Sequence, residues 1–146
     1  MNLASLGNVW KVLQGGEAAA DGREQLFKEV LLMTLARASS TDANVDPVEV
    51  ETVRELVTEM TGEPVTAADV RIAAHSEIYE KTPLEKCLAR LGATLDPEHR
   101  AAVVQALARV IKSDTDVTKR EIEFFDKVAH ALHAAPAELA GLVSRR

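Results

Sequence analysis

Apolar residues recur every three or four positions along nearly the whole chain from Arg23 onward, the period of helices packed through one face. In EQLFKEVLLMTLARAS the stripe is Phe27, Leu31, Leu35 and Ala38, with Val30 and Thr34 beside it. Val50, Val53, Val57 and Met60 carry a second helix, which Gly62 ends. Thr66 opens TAADVRIAAHSEIYE as its N-cap. TPLEKCLARLG begins with Thr82 as cap, Pro83 at the first helical position and Glu85 three residues after the cap, and it stops at Gly92. DPEHRAAVVQALARVI starts with the same Asp-Pro-Glu order, and KREIEFFDKVAHALHA and a short PAELAGLVS complete the series. No segment alternates apolar and polar residues between hairpin turns, so nothing demands a strand. Ahead of these elements, Leu3, Leu6, Trp10 and Leu13 recur at helical spacing, and QGGEAAADG then reads as a linker. The expected organisation is an N-terminal amphipathic helix and linker over residues 1–22, and one helical domain over 23–146.

Sliding the sequence against itself by about 72 residues lays TLARASSTDANVDPVEVETVRELVTEM over ALARVIKSDTDVTKREIEFFDKVAHAL without a gap. Leu35, Ala36 and Arg37 fall on Leu107, Ala108 and Arg109; Asp42 falls on Asp114, Val45 on Val117, and Glu49 and Glu51 on Glu121 and Glu123. Val50, Val53, Leu56 and Met60 fall on Ile122, Phe125, Val128 and Leu132, so the apolar stripe keeps register across the loop. The pattern predicts an internal duplication of one helix-loop-helix pair, each hairpin burying a face against the other.

The loops carry the candidate chemistry. The first offers Asp42, Asn44, Asp46 and Glu49; the second offers Asp114, Asp116, Thr118 and Glu121. Alternating oxygen side chains followed by an acid suit a hard cation of the calcium or magnesium class, which takes a shell of oxygens. The EF-hand pattern is not met, because Pro47 and Lys119 stand where it has Gly, and Val53 and Phe125 where it has Glu. A second reading needs no metal. Asp46 with Glu49, and Thr118 with Glu121, have capping-box spacing, and Val45 and Val117 precede the caps where a hydrophobic staple belongs. Capping leaves Asp42 and Asp114 without a role, so both readings stand at this point.

Composition narrows the function. The chain of 146 residues is long enough to bury one core, and 47% hydrophobic residues with only 3% aromatics favour helices built on Ala, Leu and Val. A net charge of -6 argues against binding phosphate backbones, so nucleic acid is not an expected partner. Cys87, the lone cysteine, has no internal partner and reads as a buried thiol. No run approaches the roughly 18 apolar residues of a spanning helix. The N-terminus also lacks the basic start and apolar core of a signal peptide, which points to the cytoplasm. The N-terminal helix either folds back or docks on a partner, and peripheral membrane contact is a further reading, although Lys11 is nearly alone in its polar face. His75, His99, His130 and His133 form no HExxH or CxxC arrangement, so no catalytic or cofactor-binding residue is assigned.

With LARASSTDANVDPVEVETV and LARVIKSDTDVTKREIEFF in view, the chain resembles the TerB-like tellurite-resistance family, from about Phe27 to Leu142. The family usually has Asp-Gly in each turn, where this chain has Asp42-Ala43 and Asp114-Thr115. The resemblance implies a helical, non-catalytic module found with bacterial tellurite and stress-resistance systems, with acidic residues proposed to take cations. The expected fold is thus an all-α, compact helical domain of about seven or eight helices with the duplication inside it. The expected function is a stress and tellurite-resistance module whose acidic loops bind divalent cations weakly. The alternatives are a metal-free scaffold that meets a protein partner through an acidic face and, trailing it, a carboxylate-metal enzyme.

Overall fold

The computed structural model describes residues 6–15, 20–39, 47–76, 82–113 and 117–133. Among the described residues it holds seven helices and no strand: α1 (Gly7–Leu13), α2 (Ala20–Ala38), α3 (Pro47–Thr61), α4 (Ala67–Ala74), α5 (Leu84–Gly92), α6 (Pro97–Lys112) and α7 (Lys119–Ala131). The short PAELAGLVS helix predicted from the sequence lies outside the described residues.

Helix α2 is the axis of the packing. It touches α1, α3, α4, α5 and α6, while α7 completes the fold by packing on α5 and α6. From Leu26 to Ala36 every residue except Lys28 is buried, so the stripe expected on one face extends around the whole helix. A helix surrounded by neighbours has no solvent face to keep polar, and its amphipathic signal fades accordingly. The polar groups it does carry need partners. Arg37 donates to the carbonyl of Ala74 at 3.0 Å, at the end of α4 where helix carbonyls lack intrahelical donors. Lys28 pairs with Glu63 at 3.2 Å, just past the end of α3. The Thr34 hydroxyl, fully buried, has no hydrogen-bond partner.

The two hairpins predicted by the 72-residue offset appear as α2–α3 and α6–α7. Under that offset α3 and α7 begin at the same place, and the inward stripes match: Val53 and Phe125, Leu56 and Val128, and Val57 and Ala129 are all buried. Phe27 and His99, also equivalent, stack on each other with ring centres 4.3 Å apart and planes at 14°. The two rings meet where α2 and α6 pack together.

The helix boundaries follow local chemistry. Gly62 has φ +75, a left-handed value that glycine adopts without a Cβ clash, and it closes α3. At Thr66 the full capping box is present: its hydroxyl accepts from Asp69 N–H at 3.0 Å and the Asp69 carboxylate accepts from Thr66 N–H at 2.9 Å. One expected cap moves. Helix α5 begins at Leu84, and Pro83 with ψ 148 is the flanking residue rather than the first helical one; its carbonyl accepts from the N–H groups of Lys86 and Cys87. Proline at the flanking position carries no side-chain acceptor, and this helix start has no side-chain cap.

Helix α1 packs against α2 and α5, with Leu6, Val9 and Val12 in the core and Trp10 and Leu13 half-buried at its edge. Leu6 is inward as expected, but Val9 and Val12 take the core positions expected of Trp10 and Leu13, and Leu3 lies outside the described residues.

Removing the orphaned hydroxyl of α2 is expected to help. Thr34→Val should raise the unfolding free energy by about 1 kcal/mol in urea denaturation, because it deletes a buried donor that has no acceptor. A lower midpoint with unchanged slope would contradict this assignment.

Candidate functional site

The candidate site is built on the first turns of α3 and α7, where exposed backbone N–H groups favour negative charge. Glu49 and Glu121 stand at the third position of these helices, and both are buried, at 4% and 3% exposure. Acids are seldom buried so completely without a partner. Helix α7 shows what the position does. Thr118 Oγ1 accepts from Glu121 N–H at 3.2 Å, while Glu121 Oε1 accepts from Thr118 N–H and from the Thr118 hydroxyl, each at 3.1 Å. The predicted capping box is therefore present at Thr118 and Glu121. Val117, just before the cap, is half-buried against the core.

The cap accounts for one oxygen of Glu121 only. Oε2 is buried and has no hydrogen-bond partner. A carboxylate oxygen held away from water is costly unless a donor or a cation meets it. Asp114 and Asp116, the other carboxylates assigned to this loop, and Asp42, Asn44 and Asp46 in the first loop, lie outside the described residues. Of the predicted ligands the structure thus describes Glu49, Thr118 and Glu121. Among the described residues no three His, Cys, Asp or Glu side chains gather into a metal-holding group.

A third buried carboxylate was not singled out by the sequence reading. Glu29 on α2, 2% exposed, accepts from Asn8 N–H at 2.8 Å, Val9 N–H at 3.2 Å and the Asn8 side-chain amide at 2.6 Å. These backbone donors belong to the first turn of α1, whose own flanking residue supplies no side-chain cap. Burial pushes the Glu29 carboxyl above its ordinary range, and the three donors offset part of that rise. The available signal was a single acid inside the apolar run FKEVLLMTLA. The Cys87 thiol is likewise raised by burial, which suits a packed side chain rather than a nucleophile.

Only His130 and His133, among the described histidines, adjoin, and they do so through the backbone at the end of α7. His75 ends α4, His130 and His133 are exposed around the end of α7, and His99 packs on Phe27 with Nε2 3.5 Å from Glu24.

The family model described as tellurite resistance protein TerB matches residues 28–143. The chain belongs to the TerB family. The match begins and ends within one residue of the stretch on which the two repeated loops gave the resemblance, and it places both acidic loops inside the TerB domain. No curated protein and no solved structure matches the chain. Membership makes this a tellurite-resistance-associated module, and α1 precedes the matched stretch. No described helix is long and apolar enough to cross a membrane.

Two outcomes test these carboxylates. Thr118→Ala should cost about 1 kcal/mol of stability by removing the α7 cap, measured by chemical denaturation, and a cost near zero would show the cap to be idle. For Glu29 the sign follows from its raised folded-state pKa. Its stabilising contribution is complete below the unfolded carboxylate range and is lost as pH rises through the folded value. The stability advantage of the native chain over Glu29→Gln should therefore shrink from acid to neutral pH; a growing advantage would refute the burial argument.

Proposed function

We propose that this TerB domain is a non-catalytic, cytoplasmic stress-response module whose acidic loops take divalent cations of the calcium or magnesium class weakly. The observation that carries the reading is the bare, buried Oε2 of Glu121 beside a loop bearing Asp114 and Asp116. A hard cation would supply the missing partner, and its shell would be completed by loop oxygens and water. In the first loop Glu49, buried at the equivalent position, would serve with Asp42, Asn44 and Asp46. Thr118 contributes through the cap: it fixes Glu121 Oε1 and so orients the carboxylate, leaving Oε2 for the ion.

A second reading is a metal-free scaffold, favoured by the exposed face of α3. Glu51, Glu55 and Glu59 lie one turn apart there and border a shallow groove with Arg54 and Thr58. Together with the net charge of -6 this face suits a basic protein partner and disfavours nucleic acid.

Titration calorimetry of chelator-stripped protein with calcium, magnesium and manganese separates the readings. We expect saturable heat in the native chain, reduced in Asp42→Asn and Asp114→Asn and in Glu121→Gln, which keeps the shape of the cap but removes the charge. Absence of saturable heat in the native chain would overturn the cation reading and leave the scaffold.

A further inference from the structure

Helix α1 lies outside the stretch matched by the TerB family, yet it is seated in the core of the domain. Seven residues are too few for a helix to persist alone, so its structure comes from docking on α2 and α5 through Leu6, Val9 and Val12. Its first turn has no side-chain cap of its own, and Glu29 of α2 stands in for one. Glu29 Oε1 accepts from the N–H groups of Asn8 and Val9, and Oε2 lies 2.6 Å from the end of the Asn8 side-chain amide.

That last separation is short for N–H···O and ordinary for O–H···O. The two ends of an amide exchange places by a half-turn, so a protonated Glu29 can donate from Oε2 to the Asn8 side-chain carbonyl while Oε1 keeps both backbone bonds. The contact then closes without a buried charge. An ionised Glu29 is 2% exposed and has only neutral donors around it. The cations on the elements packed against α2 are engaged elsewhere or exposed: Lys11 of α1, Arg71 of α4, and Lys86 and Arg90 of α5 face solvent, and Lys28 is paired with Glu63. On α3, Arg54 is turned to the Val65 carbonyl and Glu51; on α6, His99 lies against Glu24 and Arg100 donates to the carbonyls of Gly92 and Leu95. Burial outweighs the three α1 donors and raises the affinity of this carboxyl for its proton.

We propose that Glu29 and Asn8 form a proton-operated latch, which holds α1 against α2 in acid and loosens it as the pH rises. The hold is complete below the ordinary carboxylate range and is lost as pH rises through the raised folded value. Loosening exposes the apolar face of α1 and the surface of α2 and α5 beneath it.

Trp10, the only tryptophan, is half-buried on α1, so its emission reports this helix in the full-length chain. Between the ordinary carboxylate range and neutral pH the emission should shift to the red, with far-UV ellipticity falling by no more than one short helix accounts for. Glu29→Gln offers an amide N–H to the Asn8 carbonyl at any pH, and it should keep the acid emission throughout. A constant emission in the native chain, a shift that persists in Glu29→Gln, or a collapse of ellipticity along with the shift overturns the proposal. A measurement on the native chain needs no variant: carbon NMR of labelled glutamate carboxyls should show one that titrates above the ordinary range with the same midpoint as Trp10. Absence of such a glutamate would equally overturn it.

Discussion

The constraint on which the structure depends is the burial of α2 on all sides. Once this helix is enclosed by five others, its apolar residues supply the middle of the core, and its charged groups Lys28, Glu29 and Arg37 are each answered by a neighbour. The answers locate the surrounding helices. Arg37 meets the end of α4, Lys28 meets Glu63 after α3, and Glu29 caps α1. The stack of Phe27 on His99 fixes where α6 crosses it. The polar contacts of one buried helix thus specify an arrangement that apolar packing alone would leave degenerate.

Much of this was legible in the sequence because it is local. Caps at Thr66 and Thr118, the stop at Gly62 and the paired stripes of α3 and α7 depend on spacing within a few residues, and the 72-residue offset exposes the correspondence of the hairpins. The central position of α2 was hidden, because period identifies a face but does not count how many neighbours cover the remaining ones. The role of Glu29 was hidden for the same reason, since its partners stand 20 and 21 residues away on another element. At α5 the Thr-Pro order suggested a cap one residue too early, because an extended proline can flank a helix as well as begin it.

Glu49 and Glu121 hold the same place in their helices. A carboxylate at the third position of a helix satisfies backbone donors and the helix dipole, so Glu49 and Glu121 have a sufficient local reason to be where they are. That reason uses one oxygen of Glu121 and leaves the other buried and bare. The TerB assignment and this orphaned oxygen come from independent observations, one from sequence similarity along the domain and the other from geometry at a single atom.

The most direct measurement is diffraction from crystals grown with manganese, using its anomalous signal to locate the ion. Our account predicts a peak within the coordination distance of Glu121 Oε2, about 2.1–2.3 Å for a small divalent cation bound by oxygen, with loop carboxylates completing the shell. An ordered protein donor or water on Oε2, with no anomalous peak in either loop, would contradict it.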